Sequence, residues 1–515
     1  MVHGESEQGA GETAALAEFV TETTAADVPV SAFEDARIAI RDYLGVAVYG
    51  AHHGVGDRIV GHVDATMPGD DAIVLAHGRA SPTGAALANG TFGHAVDYDD
   101  TFESTVIHPT SPVFAAALAA VEHGDADDAT DLLTAYVVGC EVAFRVGHAT
   151  FPSHYDNGWH STGTIGSFGA CAAAASALDL DTETTRRAFG VVASGSSSLK
   201  KNFGTMTKPL HAGHAAEMGL RAALLAARGW TSDQNALEGS LGYGEVMTVD
   251  GGYDPSAILD GLSAPDPWAV ADIGFKPYPS GVITHAAMDA TRDLVRDHDL
   301  TFDRVERVIA TLDEAANEML IHADAETELE AKFSIEFCLA AVLREGEAGV
   351  HEFTDEYVSA SETREAMASV ERDFEVDLFG DEFAGYGARV VVETTDGDRY
   401  ENAVCHAPGS PNNPVGEAPS MTTTESRRSG ARSRAWVRRR RLTTCWRRFR
   451  PPELALTLSC AEKTEESRVV AYWFSSMTAW ISSPANVTAS STASSMDVPW
   501  LIACAARWCM RRGIW

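Results

Sequence analysis

The residues best suited to chemistry lie in one short segment, residues 94–112, with the sequence HAVDYDDTFESTVIHPTSP. This segment places Asp97, Asp99 and Asp100 within four positions, and His108 follows directly before a proline. Because carboxylates this close repel one another, we expect at least one of them to have a raised pKa or to pair with a cation. The competing interpretation is a solvated acidic loop on an acidic protein.

A histidine stands ahead of a glycine-rich segment, GWHSTG at residues 158–163. His160 precedes a predicted helix, and the first backbone N–H groups of a helix are unpaired and favour an anion. The competing interpretation is a helix cap made by the His, Ser and Thr side chains.

Lysines mark two further segments, GTMTKPLHAGH at residues 204–214 and FKPYPSG at residues 275–281. The chain has only six lysines, yet Lys208 and Lys276 each stand directly before a proline. Proline is favoured in the first turn of a helix, where a lysine is unfavourable unless an anion binds there as well. The alternatives are a surface loop for the first segment and a proline-rich interdomain hinge for the second.

Together these segments predict a pocket with two lysines, at least two histidines and a carboxylate. The sequence has no phosphate-binding glycine loop, no dinucleotide fingerprint and no metal-ligand spacing, so we expect neither a cofactor nor a metal. Lysines bind carboxylates, and a His or Asp base beside a bound carboxylate removes the proton α to it. Nearby cations stabilise the negative charge that develops. The pattern therefore predicts cofactor-free proton abstraction on a di- or tricarboxylate.

The elements that position these residues are predicted to be helices up to about residue 262, where apolar residues recur at helical spacing. Residues 51–80 are predicted to be loop and short extended pieces. Ser81-Pro82-Thr83 is predicted to open a helix that leads into the acidic segment. The three-residue spacing of His94 and Asp97 predicts that both lie on one face of that helix.

The pattern changes near Pro265. FDRVERVIATLD alternates like a strand and KFSIEFCLAAVLREG is helical, while GARVVVETTDG and DRYENAVCHA predict two strands joined by a Thr-Asp-Gly turn. The sequence therefore predicts a mainly α fold with a second α+β domain. The first, all-helical domain covers residues 1–264, and the α+β domain covers residues 265–414.

The net charge is −35, from 74 acidic and 39 basic residues. Such a surface repels nucleic acid and anionic membranes, so we exclude both as partners of the main body. It is typical of a protein from a halophilic cytoplasm. The polar, acidic N-terminus predicts no signal peptide, and no apolar run predicts a membrane span. The eight cysteines have no CxxC spacing, which predicts buried, reduced thiols.

The last hundred residues differ from the rest. Residues 416–515 contain 16 Lys and Arg against 7 Asp and Glu, and seven of the ten tryptophans. We expect residues 415–515 to be a divergent basic tail, either frameshifted, because GC-rich Asp codons give Arg and Thr in other frames, or disordered. The alternative is a basic tail that binds nucleic acid or a partner.

The chemical segments resemble those of the MmgE/PrpD family. The resemblance runs in the family's order through residues 14–414, in NGTFGHAVDYDDT with HPTSPVFAAALA, GWHSTGTIGSFGAC, MTKPLHAGHAAEMGLRAALLAARGWT, LEGSLGYGE, KPYPSGVITHAAMDA and AKFSIEFCLAAVL. The family includes 2-methylcitrate dehydratases, cis-aconitate decarboxylases and iminodisuccinate epimerases. The resemblance implies a large all-helical domain with a smaller α+β lid, a homodimer, and no metal or organic cofactor.

Carried over by motif, the family's active-site positions are Asp97, Thr101, His108, His160, Lys208 and Lys276. As hypotheses from this resemblance, His108 or Asp97 is the base, and His160 is the acid that protonates a leaving hydroxyl or the carbanion. Lys208 and Lys276 would clamp carboxylates, and Thr101 would orient one.

Two differences bear on the reaction. The decarboxylase branch has a histidine shortly after the lysine of KPYPSG, where this chain has Gly281, while His285 lies on the following helix. The spacing from Thr101 to His108 is also slightly longer than in that branch. We therefore expect a hydro-lyase of the 2-methylcitrate dehydratase type, in propionate metabolism, ahead of a cis-aconitate decarboxylase.

Two other functions stay open. An epimerase of a small dicarboxylate, such as iminodisuccinate, would move the same α-proton without expelling a group. A helical binding or scaffold protein would tolerate substitution of Lys208 and Lys276.

Overall fold

The structure is a computed structural model that describes residues 11–124, 129–314, 316, 319–376, 378–380 and 385–414. The predicted basic tail, residues 415–515, lies outside the described residues. Among those that are described, none of the helices combines the length and apolar character needed to cross a membrane.

Helices account for most of the described chain up to residue 259. They are α1 (Glu12–Glu22), α2 (Val30–Ala51), α3 (Gly54–Thr66), α4 (Pro82–His94), α5 (Thr110–His123), α6 (Ala129–Thr150), α7 (Ser153–Asp156), α8 (Ser161–Ala177), α9 (Thr182–Gly195), α10 (Thr207–Ala227), α11 (Tyr243–Met247) and α12 (Ser256–Leu259). A short antiparallel hairpin, β1 (Ala72–Val74) and β2 (Gly78–Ala80), interrupts them.

Helices and a mixed sheet make up the rest. The helices are α13 (Val282–Asp297), α14 (Glu328–Ala331), α15 (Ile335–Glu345), α16 (Asp355–Ser359) and α17 (Ser361–Ala368). The strands are β3 (Val305–Asp313), β4 (Val370–Glu375), β5 (Ala388–Thr394) and β6 (Arg399–Val404). The sheet order is β4-β3-β5-β6, with β3 parallel to β4 and antiparallel to β5. The predicted fold class, mainly α with a second α+β domain, is confirmed.

Two large buried apolar clusters form the cores. The first is built from α1–α6 and α8–α12 and ends along the chain at Ile273. The second is built mainly from α13, α15, α17 and the four-stranded sheet, and its first residue after Ile273 is Tyr278. Residues 274–277 therefore connect the two cores, and Lys276 lies within this connection.

Small residues bring α4, α8 and α10 close together. A Cβ on Gly90 of α4 would lie 2.9 Å from the carbonyl oxygen of Ala212 on α10, so the helices pack backbone to backbone there. A Cβ on Gly163 of α8 would lie 3.0 Å from Cβ of His211 on α10. These contacts fix the end of α4, the start of α8 and the first turns of α10 relative to one another.

Two local predictions are wrong, and one strand was not predicted. Residues predicted to be loop contain α3, whose glycines weaken the helical pattern. The strand β4, VERDFE, lies at the edge of the sheet and was not predicted. Its charged residues suit an exposed edge, but they leave little of the apolar alternation by which a strand is predicted. His94 and Asp97 do not share a helix face, because α4 ends at His94 and Asp97 has a φ of 53°.

Candidate active site

A cleft lies between the two cores. Five of the six sequence-predicted site residues line it: Asp97, His108, His160, Lys208 and Lys276. Its remaining lining residues are apolar or aromatic, apart from Gly281: Val106, Tyr155, Phe203, Val282, Ile283, Met319 and Phe333. We call the five predicted site residues the charged wall of the cleft, and Val106, Phe203, Val282, Ile283, Met319 and Phe333 its apolar wall.

Two lysines meet at Asp97. Lys208 Nζ donates to one carboxylate oxygen at 3.1 Å, and Lys276 Nζ donates to the other and to the Asp97 carbonyl oxygen at 3.0 Å. All three side chains are buried. Burial alone would raise the pKa of Asp97, but Lys208 and Lys276 hold it well below its usual value. Asp97 is therefore ionised, and each lysine has a second polar contact on the same segment or on α4.

The left-handed backbone at Asp97 turns its carboxylate back toward both lysines. Aspartate enters this region more readily than most residues, because its short polar side chain bonds locally. Lys332, at the end of α14, supports the turn by donating to the Val96 carbonyl oxygen at 3.1 Å. Burial lowers the pKa of Lys332 to about 8. Sequence reasoning missed this residue, although it is one of the six lysines and lies in the AKFS motif.

Asp99 binds two histidines. His94 Nδ1 lies 2.9 Å and His108 Nδ1 3.3 Å from its Oδ1, and Ser111 donates to Oδ2 at 2.6 Å. Burial alone would raise the pKa of Asp99, but His94 and His108 hold it well below its usual value. Asp99 was noted in the sequence only as a member of the acidic segment.

The pKa of Asp100 shifts in the opposite direction from those of Asp97 and Asp99. Burial raises its pKa well above the usual value, and the nearby charge of Asp99 adds to the rise. The hydroxyl of Thr110 donates to the Asp100 carboxyl group. The expectation from the acidic segment is confirmed in both forms, since Asp100 has a raised pKa and Asp97 pairs with cations.

His108 presents one ring nitrogen as an acceptor. Its Nδ1 lies 2.9 Å from the Asp100 carbonyl oxygen, which can only accept, so Nδ1 carries the hydrogen. Nε2 then has the lone pair. Burial lowers the pKa of His108, and Lys276 lowers it further, so the ring is neutral at pH 7. A neutral imidazole with a free lone pair is the form that a general base requires.

His160 is the N-cap of α8, as predicted, but its side chain makes no capping bond. Instead its Nδ1 lies 3.0 Å from Nδ1 of His211, a residue of the LHAGH segment. Since one of these nitrogens donates and the other accepts, each ring fixes the tautomer of the other. Burial lowers the pKa of His160 well below its usual value, and Lys208 adds to this.

Thr101 is placed differently from the other five. It is buried, its hydroxyl donates to the Ile107 carbonyl oxygen at 3.2 Å, and it does not line the cleft. Its backbone pairs with Gly274 in the connection between the cores. Direct contact between Thr101 and a substrate stays a prediction.

Four of these residues have potential metal-ligand atoms within 4.8 Å of one another: His94, Asp97, Asp99 and His108. However, both Asp97 oxygens face lysine Nζ atoms, and Lys208 Nζ lies 2.8 Å from His94 Nε2. A divalent cation here would replace these contacts and be repelled by the lysines. The two lysines therefore disfavour a metal at these four residues.

Comparisons with known proteins show the family of this chain. Residues 14–256 match the MmgE/PrpD N-terminal domain, and residues 278–420 match the MmgE/PrpD C-terminal domain. Cis-aconitate decarboxylase from Homo sapiens is 29% identical over 311 residues, which are 58% of this chain and 63% of that protein. The cis-aconitate decarboxylase-like protein oryM from Aspergillus oryzae is 27% identical over 425 residues, 77% of this chain and 86% of that protein.

A third relative, cis-aconitate decarboxylase from Aspergillus terreus, is 27% identical over 307 residues, 57% of this chain and 62% of that protein. The match thus spans less than two thirds of the human and Aspergillus terreus proteins.

Proposed function

Because this chain belongs to the MmgE/PrpD family, we propose that it is a lyase that removes the proton α to a carboxylate of a small di- or tricarboxylate. The observation that carries the proposal is the pairing of two buried lysines with the single carboxylate of Asp97. A substrate carboxylate that enters the cleft finds Lys208 and Lys276 already oriented. With Lys332 the site has three lysines against the carboxylates of Asp97 and Asp99, and this excess of cations in a protein of net charge −35 favours an anion.

We assign the base to His108 rather than Asp97. His108 is neutral and its Nε2 has a lone pair, whereas two lysines hold the pKa of Asp97 far too low for it to accept a proton. His108 Nε2 takes the α-proton, and the electron pair left on carbon delocalises into the adjacent carboxylate. Lys208 and Lys276 stabilise the charge there.

His160 is the proposed acid. In the unliganded cleft, burial and then the charge of Lys208 disfavour the protonated form of His160. A bound polycarboxylate offsets the lysine charge and raises the pKa of His160, so that the acid forms only with substrate present. In a dehydration, His160 gives its proton to the β-hydroxyl, which leaves as water while the carbon–carbon double bond forms.

The finer proposal is a hydro-lyase of the 2-methylcitrate dehydratase type, in propionate metabolism. Gly281 lines the cleft, and His285 is buried with Nε2 3.1 Å from the Ser280 carbonyl oxygen, so no histidine from this segment lines the cleft. The names of the relatives favour a second candidate, decarboxylation of cis-aconitate. The same lysines and acid serve it, with loss of CO₂ and protonation of the carbanion in place of loss of water.

Proton NMR in D₂O, in high KCl with a chelator, tests the proposal. The protein is offered 2-methylcitrate, citrate and cis-aconitate separately. Loss or addition of water supports the hydro-lyase, and release of CO₂ with a five-carbon unsaturated diacid supports the decarboxylase. Deuterium exchange alone would favour an epimerase. The lyase proposal is wrong if none of these substrates changes.

A further inference from the structure

The apolar wall of the cleft adjoins the lysine that binds carboxylate. Lys208 Nζ lies 5.4 Å from the ring centroid of Phe203 and 5.3 Å from that of Phe333. These two rings stack at a centroid distance of 5.1 Å. A carboxylate held by Lys208 therefore has two phenyl rings beside it, in addition to the polar side chains of His94 and Asp97.

Gly281 leaves space next to this wall. It is the N-cap of α13, with φ −57° and ψ 135°, a conformation open to residues with side chains. A Cβ at this position would lie 3.5 Å from a ring carbon of Phe333 and 3.5 Å from the Lys332 carbonyl oxygen, which is ordinary contact. The backbone does not require glycine here, so the consequence of glycine is the volume that it leaves in the cleft.

Val106, on the same wall, is held in an unfavourable conformation. Its φ is 54°, in the left-handed region that β-branched residues avoid. The turn is closed by Phe102 N–H, which donates to the Ile107 carbonyl oxygen at 2.8 Å. Backbone strain of this kind concentrates at functional sites. A strained valine lining the cleft supports a functional role for its apolar surface.

We propose that this wall is a subsite for an alkyl substituent on the carbon next to a bound carboxylate, and that residue 281 sets its size. The subsite is formed by Val106, Phe203, Val282, Ile283, Met319 and Phe333. The inference rests on the proposed function, since Lys208 must bind the carboxylate. It extends that function to substrates with substituents longer than methyl.

Titration calorimetry with unreactive ligands tests the subsite separately from the reaction. The ligands are succinate and its methyl, ethyl and propyl derivatives. For the wild type we expect affinity to rise about fourfold with each added carbon until the subsite is full. Gly281→Ala should bind succinate equally well and lose about fourfold in affinity for the longest derivative that the wild type accepts.

Two variants complete the design. Gly61→Ala adds the same methyl group at an exposed position of α3, where a Cβ would meet nothing within 4 Å, and should leave the series unchanged. Met319→Ala should extend the rise in affinity by at least one carbon, so the proposal remains testable if Gly281→Ala does not fold.

The outcomes separate the two proposals. Equal affinities for succinate and its alkyl derivatives in the wild type would overturn the subsite and leave carboxylate binding intact. The absence of any binding, succinate included, would overturn both. A normal alkyl series with no reaction in the NMR assay would support the subsite and count against the lyase.

Discussion

Lys208 Nζ lies 2.8 Å from Nε2 of His94, so the neutral imidazole accepts a hydrogen bond from the ammonium group. Burial lowers the pKa of His94 to about 3, and Lys208 contributes to this. Because Nδ1 of the same ring bonds Asp99, His94 links the lysine site to the carboxylate that also holds His108. His94 is thus a positioning residue for both the cation and the proposed base.

Replacement of Lys208 tests the carboxylate clamp. Lys208→Ala should raise KM and lower kcat, with a fall in kcat/KM of about 10²–10³, since it removes one charged donor from the developing anion. Steady-state kinetics on the substrate identified by NMR measures this. Lys201→Ala, which removes an exposed lysine outside the cleft, is the matched control. An unchanged kcat/KM for Lys208→Ala would remove Lys208 from the site.

Replacement of His108 tests the base. His108→Asn keeps an N–H donor near the position of Nδ1 and removes Nε2. We expect kcat to fall by about 10²–10⁴ and deuterium exchange at the α-carbon to slow in parallel. Ligand affinity measured by calorimetry should change little. His148→Asn, a half-buried histidine that does not line the cleft, is the control. Normal exchange in His108→Asn would reassign the base.

Removal of the Asp97 charge should destabilise the protein. Asp97→Asn leaves Lys208 and Lys276 buried without a counterion, which we expect to cost about 3–5 kcal/mol in the free energy of unfolding. Denaturant titration in fixed salt measures the loss, and Asp297→Asn, an exposed ion pair, is the control. Succinate should stabilise the variant more than the wild type, because it replaces the missing carboxylate. A variant as stable as wild type would contradict this.

Activity should depend on pH in two directions. The pKa of His108 is lowered from its usual value of about 6.5, so the ring loses its proton at a pH below that value. Because only the neutral ring acts as a base, kcat/KM should rise with pH in the range below about 6.5. Lys332, with a pKa of about 8, loses its proton as pH rises through that value, so kcat/KM should fall above it. Lys332→Arg keeps its charge and should move the alkaline limb to higher pH. If that limb does not move, another group causes it.

His211 should act through His160. In His211→Leu, the Nδ1 of His160 loses its partner, so its tautomer is no longer fixed, whereas an amide in His211→Asn can still exchange a hydrogen bond. We expect kcat to fall in the Leu variant, with a changed pH profile, and to recover partly in the Asn variant. Equal profiles for both variants would indicate a packing role only.

The sequence predicted most of the charged wall because its residues are expensive to bury or rare in this chain. Lys208 and Lys276 stand beside prolines and glycines, and Asp97 stands among further aspartates, so that local patterns reveal a site. His94 and Lys332 were missed because their roles arise from tertiary contacts. His94 meets Lys208 only because α4 and α10 pack closely at their glycines.

Thr101 is the one predicted site residue that does not line the cleft, and its contact with a substrate stays a prediction. Its motif placed it among site residues, whereas the fold directs its hydroxyl to the Ile107 carbonyl oxygen. The apolar wall could not be predicted either, because Val106, Met319 and Phe333 look like ordinary core residues in sequence. Only the approach of the two cores brings them to one cleft.

The position of Lys276 in the connection between the two cores constrains how this chain can vary in length. Residues 274–277 fix both the distance between the cores and the reach of the lysine to Asp97. A one-residue insertion here would leave each core complete and move the lysine out of register with its carboxylate. Foldability and chemistry therefore respond differently to the same insertion, and the connection, unlike a passive linker, has a length that the reaction sets.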